Sequence, residues 1–362
     1  MPQILPQIQT AIDMNCIANR ARVLVLFAAA LLLDISVPAS ALVLHPEGEP
    51  NLSIWTDRPS DNIIGQWDNS ASCVAISSNC VITTQHQSGN LNTLVEIGGV
   101  TYTIDEMWNH PTADLRIAKL YGANLPYFVG INEQTNERGR KTVIAGHGVG
   151  RGNLLQTQGK TYGYKWGDSA SRTFRMGTNR IESALADSTI GELTSDVIIA
   201  DFDDLNEGLS TDYETIPADH DSGGGWFIKS GDTWMLAGLT RSIELHYEEG
   251  HEGDPNHYIF SEAWFRERSD PNEPHADRFE AVRISSYVQW INDTVPPVVP
   301  GDLNGDDYVD FADFSVFVHF WRRNDCQWPN PCLGADFEPD GDVDRLDLAE
   351  FAYYWLSGER PF

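Results

Sequence analysis

From Leu42 to about Ile190 the chain is a succession of short runs separated by turn residues: "SCVAI", "CVITTQ", "TLVEIGGVTYTI", "LRIAKL", "KTVIAG", "KTYGYKW" and "TFRMG". Apolar and polar residues alternate in them, or run apolar for about 5 positions, which suits the strands of a barrel or sandwich far better than helices. "DVIIADF", "GWFIKS" and "WMLAGLT" extend the series. The period then changes in "EAVRISSYVQWIND", where Val282, Ser286, Val288 and Ile291 read as one closing helix. Between them Glu244 to Arg278 is long, polar and acidic, and reads as a surface loop.

"TVPPVVPG", Thr294 to Gly301, is stiff and extended by composition and marks a joint at residues 294–300. Beyond it, residues 301–358 contain two related segments, "GDLNGDDYVDFADFSVFVHFW" and "ADFEPDGDVDRLDLAEFAYYWL". Each places hard oxygen donors at alternate positions of a short loop, the pattern that binds Ca²⁺. The first offers Asp302, Asn304, Asp306, the carbonyl of Tyr308, Asp310 and Asp313. The second offers Asp336, Glu338, Asp340, the carbonyl of Asp342, Asp344 and Asp347. Two calcium ions are the expected cofactors, and none is expected for catalysis. A formal net charge of -29 argues against nucleic acid as a partner, since both would repel.

The N-terminus reads as an export signal over residues 1–41. Arg20 and Arg22 precede an apolar run from Val23 to Leu33, and Ala39-Ser40-Ala41 has the small-x-small form of a cleavage site. The run is too short to span a bilayer, which takes roughly 20 residues. Translation from Met14 would give a shorter leader. An exported, extracytoplasmic chain permits disulfides. Cys73–Cys80 is expected to bridge a hairpin and Cys326–Cys332 a loop, with buried free thiols as the alternative.

Amide hydrolysis by a serine needs a base, a carboxylate that orients the base, and backbone donors for the oxyanion. His86 ends a strand in "CVITTQHQSG", Asp114 precedes one in "NHPTADLRIAKL", and Ser222 lies in "PADHDSGGGWF". In this order and context the chain resembles the chymotrypsin/trypsin family of serine endopeptidases. "VITTQH", "HPTADLRIAKL" and "HDSGGG" are similar to that family's histidine, aspartate and serine motifs, and "VIAGHGVG" and "AVRISSYVQWI" to two further ones.

The resemblance implies a double β-barrel with a C-terminal helix over residues 42–293, acting on protein or peptide substrates. It makes Ser222 the nucleophile, His86 the general base and acid, and Asp114 its orienting partner. The N–H groups of His220 and Ser222 would form the oxyanion hole. Asp221 and Gly223 would shape that loop, Asp221 pairing with a new N-terminal amine.

The chain departs from the family in three places. His220 replaces a glycine, so its peptide is expected to be flipped until substrate binds. No basic residue followed by Ile-Val-Gly-Gly marks an activating cut, and "NIIGQW" lies too close to His86. In the substrate pocket, Ile216 stands at the usual base and Arg241 where a serine lines the substrate, so cleavage after Lys or Arg is not implied. His110 and His147 are read as structural.

The acidic tail, a loop and one helix repeated, resembles a type I dockerin module, which folds around two Ca²⁺ and docks on cohesin domains. Asp307 departs from it, standing where glycine permits a sharp turn. The competing reading is a non-catalytic, protease-like binding or scaffold protein anchored by its tail.

Overall fold

The computed structural model describes residues 42–45, 50–205, 208–247, 258–259, 261–326, 332–338 and 340–358. The expected export signal, residues 1–41, lies outside the described residues.

Six antiparallel strands form a closed barrel: β1 Ile64–Trp67, β2 Ala71–Ala75, β3 Cys80–Thr83, β4 Leu94–Ile97, β5 Val100–Asn109 and β6 Arg116–Leu120. They run in the order β1-β2-β3-β6-β5-β4, and β4 closes the ring by pairing Glu96 with Gln66 and Val95 with Trp67. β2, β3 and β6 are buried at every position, the polar Ser72, Thr83, Arg116 and Lys119 included, whereas β4 alternates exposed Leu94 and Glu96 with buried Val95 and Ile97. Trp67, Val74, Ile82, Ile117 and Leu120 are buried in the hydrophobic cluster built on this sheet. Each contributes about 1.5–3 kcal/mol by leaving water.

The second half is an eight-stranded sheet. β7 Lys141–Gly146, β8 Arg175–Arg180, β9 Ser183–Ile190, β10 Leu193–Asp201, β11 Gly225–Ser230, β12 Thr233–Ile243 and β13 Arg278–Arg283 run in the order β8-β7-β11-β12-β13-β10-β9, and the two-residue strand Gly130–Ile131 joins β12 in parallel. Ile144, Ile198, Phe202, Trp226 and Phe279 make its core.

Of the expected double barrel, the first closes by strand pairing, and among the described residues the second sheet does not. Between β8 and β10 the gap is crossed by a side chain, Asn179 Nδ2 donating to the carbonyl of Asp201 (2.9 Å) and to that of Thr215 (3.0 Å). The sequence "RIESALADSTIG" continues as β9 on the outer edge of β10 instead of closing the ring.

Three further expectations change. The closing helix is only Val288–Thr294 (α1); Arg278–Arg283 is strand, because Phe279 and Ala281 alternate into the second core while Val282 faces the first. The acidic insert is not wholly a surface loop. Glu262–Trp264 pairs with Lys160–Trp166, and Ala263, Trp264 and Phe265 are buried.

Cys73 and Cys80 are both free. Val74 pairs with Ile82 and Ala75 with Val81, so Cys80 stands about three residues along the hairpin from Cys73. At ~3.3 Å per residue that is about 10 Å, beyond disulfide reach. Burial pushes the two thiols up to about 12 and about 11. Cys326–Cys332 does form a disulfide.

The tail is two loop-helix units, with helices α2 Phe311–Phe320 and α3 Arg345–Tyr353, each opened by a capping box (Asp310 with Asp313, Asp344 with Asp347). Leu303, Val309, Phe317, Val343 and Phe351 form its own core. It lies against the barrel: buried Lys119 pairs with Asp307 and, at 3.3 Å, with Asp105, and Asn124 Nδ2 donates to the carbonyl of Leu333 (2.8 Å). Asp307 takes the left-handed conformation, φ 66°, where a glycine was expected. No helix among the described residues is long and apolar enough to cross a membrane.

Candidate active site

His86, Asp114 and Ser222 come from three separate loops and meet in one hydrogen-bonded line. His86 follows β3, Asp114 precedes β6, and Ser222 precedes β11. His86 Nδ1 lies 2.6 Å from Asp114 Oδ2, and the His86 backbone N–H donates to Asp114 Oδ1 at 2.7 Å. With Nδ1–H given to the carboxylate, Nε2 is left as an acceptor, 3.1 Å from Ser222 Oγ.

Neighbouring residues hold these loops together. Gln85 Nε2 donates to the carbonyls of His110 (3.1 Å) and Ala113 (3.0 Å), tying the histidine loop to the aspartate loop. From β6, Arg116 Nη1 holds the carbonyl of Gln87 (2.7 Å), and from β1, Trp67 Nε1 holds that of Ser88 (2.8 Å). The backbone N–H of Asp114 donates to Ser195 Oγ (2.9 Å). Gln87 Nε2 also reaches His86 Nε2, at 2.8 Å. None of these supports stands out in sequence, because glutamines and serines of this kind are common in turns.

Asp114 is buried, which raises its pKa, but the His86 hydrogen bond and the Arg241 charge outweigh burial and hold it below the usual carboxylate range. Arg241 therefore does not line a substrate pocket. It is 4% exposed, its Nη1 bonded to Glu280 (2.9 Å) and Ser188 (3.0 Å), its Nη2 to the carbonyl of Leu193 (3.0 Å). A guanidinium at this place in β12 has three half-buried acceptors within reach, and they draw it inward. Ile216 is also corrected: it is fully buried, pairs with Val43 across a short ladder, and packs in the second core. Two hollows lie among neighbouring residues: one of about 360 Å³ is lined by Gln66, Asn69, Ala71, His147 and Arg172, and one of about 350 Å³ by Leu185, Ser242, Ile243 and Glu280, and none of His86, Asp114 and Ser222 lines either.

The serine loop is a tight turn. Asp221 N–H donates to the carbonyl of Ala218 (3.1 Å), and His220, third in the turn, has φ 71°. Among residues in this pair of positions only His220 is left-handed, as in a type II turn. Its ring explains how a residue with a Cβ remains there: Nδ1 donates to the carbonyl of Ser70 (2.8 Å). The carbonyl of Asp219 accepts the N–H of Val149 (2.9 Å), so the planar Asp219–His220 peptide presents its N–H on the opposite side. Neither the His220 nor the Ser222 N–H is hydrogen-bonded among the described residues.

Asp221 is fully buried, accepting the N–H groups of Gly148 (2.8 Å), Ala218 (2.9 Å) and Leu42, and burial pushes it up to about 7. Gly148 is required beside it, since a Cβ would strike the carboxylate, and Gly223 has φ 77° with no room for a Cβ between the Ser72 carbonyl and Thr83. His110 Nδ1 accepts the N–H of Ala113 (2.8 Å), and His147 lies 3.2 Å from Gln66 Nε2 and is buried enough to fall to about 4.

In the tail, one carboxylate oxygen each of Asp302, Asp306 and Asp313 converges within 4.8 Å, as do those of Glu338, Asp344 and Asp347. Buried Asp336 Oδ1 and Glu338 Oε1 accept no hydrogen bond, and burial pushes Asp302 up to about 6. Crowded, orphaned carboxylate oxygens of this kind fit a hard cation such as Ca²⁺. Asn304, Asp306, Asp340 and Asp302 accept backbone N–H groups that shape the loops, and Asp310 and Asp344 cap the helices; Tyr308 and Asp342 lie on the same loops.

No protein-family model matches the chain, and no curated protein does. Among solved structures it is similar to neuropsin, a serine protease of mouse brain: 15% identity over 65% of this chain and 95% of that one, TM-score 0.41. It is also similar to the inactive form of the Rv3671c protease of M. tuberculosis H37Rv, with 14% identity over 69% of this chain and 100% of that one, TM-score 0.38. A mutant of Rv3671c gives 14% and 0.40, over 70% and 99%. Likeness at this level assigns neither an activity nor a substrate.

Proposed function

We propose that residues 42–293 are a serine endopeptidase acting through an acyl-enzyme at Ser222. The observation that carries this reading is the unbroken line Asp114–His86–Ser222, with 2.6 and 3.1 Å steps. Ser222 Oγ attacks the peptide carbonyl carbon while His86 Nε2 takes its proton. Asp114, ionised, stabilises the resulting imidazolium. The C–N bond then breaks, His86 returns the proton to the leaving amine, and water repeats the sequence on the ester. The free N–H groups of His220 and Ser222 receive the oxyanion, where one donor is worth about 10²–10³ in rate.

Activation follows from Leu42. Its backbone nitrogen already donates to buried Asp221. Removal of the leader after Ala41 turns that nitrogen into an α-ammonium, the counter-charge Asp221 otherwise lacks beyond Arg175. Export would thus generate the mature, extracytoplasmic enzyme in the same cut.

The tail acts as a dockerin-like module. Asp302, Asp306 and Asp313, and Glu338, Asp344 and Asp347, would hold one Ca²⁺ each, and bound calcium would neutralise the crowded carboxylates and rigidify the loops. A cohesin-like domain is the proposed partner.

A fluorophosphonate probe tests the catalytic reading on the full chain in Ca²⁺. Ser222 should be labelled and Ser222→Ala should not. Folded protein that takes up no label would leave only the non-catalytic binding reading.

A further inference from the structure

His246, His275 and Asp277 form a cluster remote in sequence from the catalytic line, at the two ends of the acidic insert. Asp277 is 1% exposed, and both its oxygens face imidazoles: His246 Nε2 at 2.9 Å and His275 Nε2 at 3.1 Å. Oδ2 also accepts the N–H of Trp264 (2.7 Å). One ligand atom from each of the three residues lies within 4.8 Å of the others.

His275 carries a second carboxylate, with Glu267 Oε1 3.1 Å from Nδ1. A histidine with a carboxylate at each ring nitrogen must either be doubly protonated or have a cation in place of the Nε2 proton. The Glu267 contact also sets the tautomer a metal needs, with Nδ1–H donated outward and the Nε2 lone pair aimed into the cluster.

Two more features make this a built site. His246 is buried and stacked on Trp264 (centroids 3.6 Å apart, planes at 11°), which fixes its ring. A hollow of about 800 Å³ lined by Tyr162, His246, Trp264, Glu267 and Arg268 opens beside it and gives a fourth ligand, water, a place to stand.

We propose that His246, His275 and Asp277 bind a divalent transition metal, zinc by donor chemistry. Two imidazole nitrogens and one carboxylate suit Zn²⁺ and not the oxygen-seeking Ca²⁺ of the tail. Ligand bonds of about 2.0–2.2 Å set donor atoms roughly 3.3 Å apart around a tetrahedral ion, close to the 2.9 and 3.1 Å that separate Asp277 from the two imidazole nitrogens. His246 enters from Glu244 and β12, and His275 and Asp277 lead into β13, so the metal clips the two ends of the insert together beside the strands that carry Arg241 and Glu280.

The test is metal binding, which does not depend on protease activity. Full-length protein in excess Ca²⁺ is titrated with Zn²⁺ and its Zn K-edge spectrum recorded. Wild type should retain one tightly bound equivalent with nitrogen and oxygen ligands only. His275→Gln and Asp277→Asn should abolish it, and Glu267→Gln, which leaves all three ligands in place, should weaken it about 10–100-fold. Wild type that retains no zinc overturns the proposal, as does binding that none of the three substitutions alters.

Discussion

Arg241 Nε lies 3.5 Å from Asp114 Oδ2, with only 1% and 3% of the two side chains reaching solvent. The orienting carboxylate therefore has an imidazole on one oxygen pair and a buried guanidinium close by. Arg241→Met would take the guanidinium from buried Asp114 and half-buried Glu280, at a cost of up to about 3 kcal/mol, since His86 and the serines around Glu280 still donate to them. A large fall in melting temperature and in probe labelling at Ser222 is expected, with partial rescue of both by Arg241→Lys. A methionine variant that melts and labels like wild type would show that this contact positions nothing.

The identity of the first residue should control activity. A chain beginning at Leu42 has its α-ammonium at Asp221, and one retaining a short N-terminal extension has only an amide there. We expect labelling of the first and at least a tenfold slower rate for the second. Activity of the first should fade as pH rises past the amine's range, ordinarily about 7.7–8.0 and higher beside a carboxylate. Equal rates for the two chains would remove Leu42 from the mechanism.

Stability of the extended chain should fall between pH 6.5 and 8.5. Burial raises Glu214 to about 8 and Asp221 to about 7, so the folded state holds protons that the unfolded state has released. That contribution is complete below their ordinary values and is lost as pH rises through the raised ones. His147, lowered to about 4, acts in the opposite direction only below pH 6.5. Thermal melts across this window check the slope, and a chain starting at Leu42 should show a shallower one, carried by Glu214.

Calcium removal should soften the tail. Asp313 and Asp347 each accept backbone N–H groups of their loop while joining its carboxylate cluster. EDTA should lower the melting temperature of the tail, and Asp347→Ala should reproduce part of that loss in saturating Ca²⁺. Unchanged melting on chelation contradicts structural calcium.

His220→Gly keeps the left-handed turn open to the chain, while His220→Ala keeps a Cβ and loses the Ser70 contact. Left-handed backbone costs a residue with a Cβ roughly 1–2 kcal/mol. Labelling by the glycine variant should stay within a few-fold of wild type, with the alanine variant slower. The reverse order would mean that the histidine ring itself takes part.

The catalytic line was legible because acyl chemistry dictates residue types, and the turns and strand ends around His86, Asp114 and Ser222 are local signals. The two acidic loops of the tail were legible for a similar reason, since alternate carboxylates are a local spacing. Illegible were the hairpin register that keeps Cys73 from Cys80 and the inward course of Arg241. The destination of Ile216 was equally hidden, since a buried core position and a pocket base take the same residue.

Sequence alone determined the strand-rich first part, the duplicated tail, and which histidine, aspartate and serine could cooperate. Tertiary structure decided that, among the described residues, one sheet closes and the other does not, and that Arg241 stands behind Asp114. It also brought the Leu42 nitrogen to Asp221, and His246 to His275 and Asp277. Periodicity and turn chemistry act over a few residues and are written in order along the chain. The pairing of buried charges is settled by strand register and desolvation, which join positions as far apart as His86 and Ser222, 136 residues, and leave no local mark.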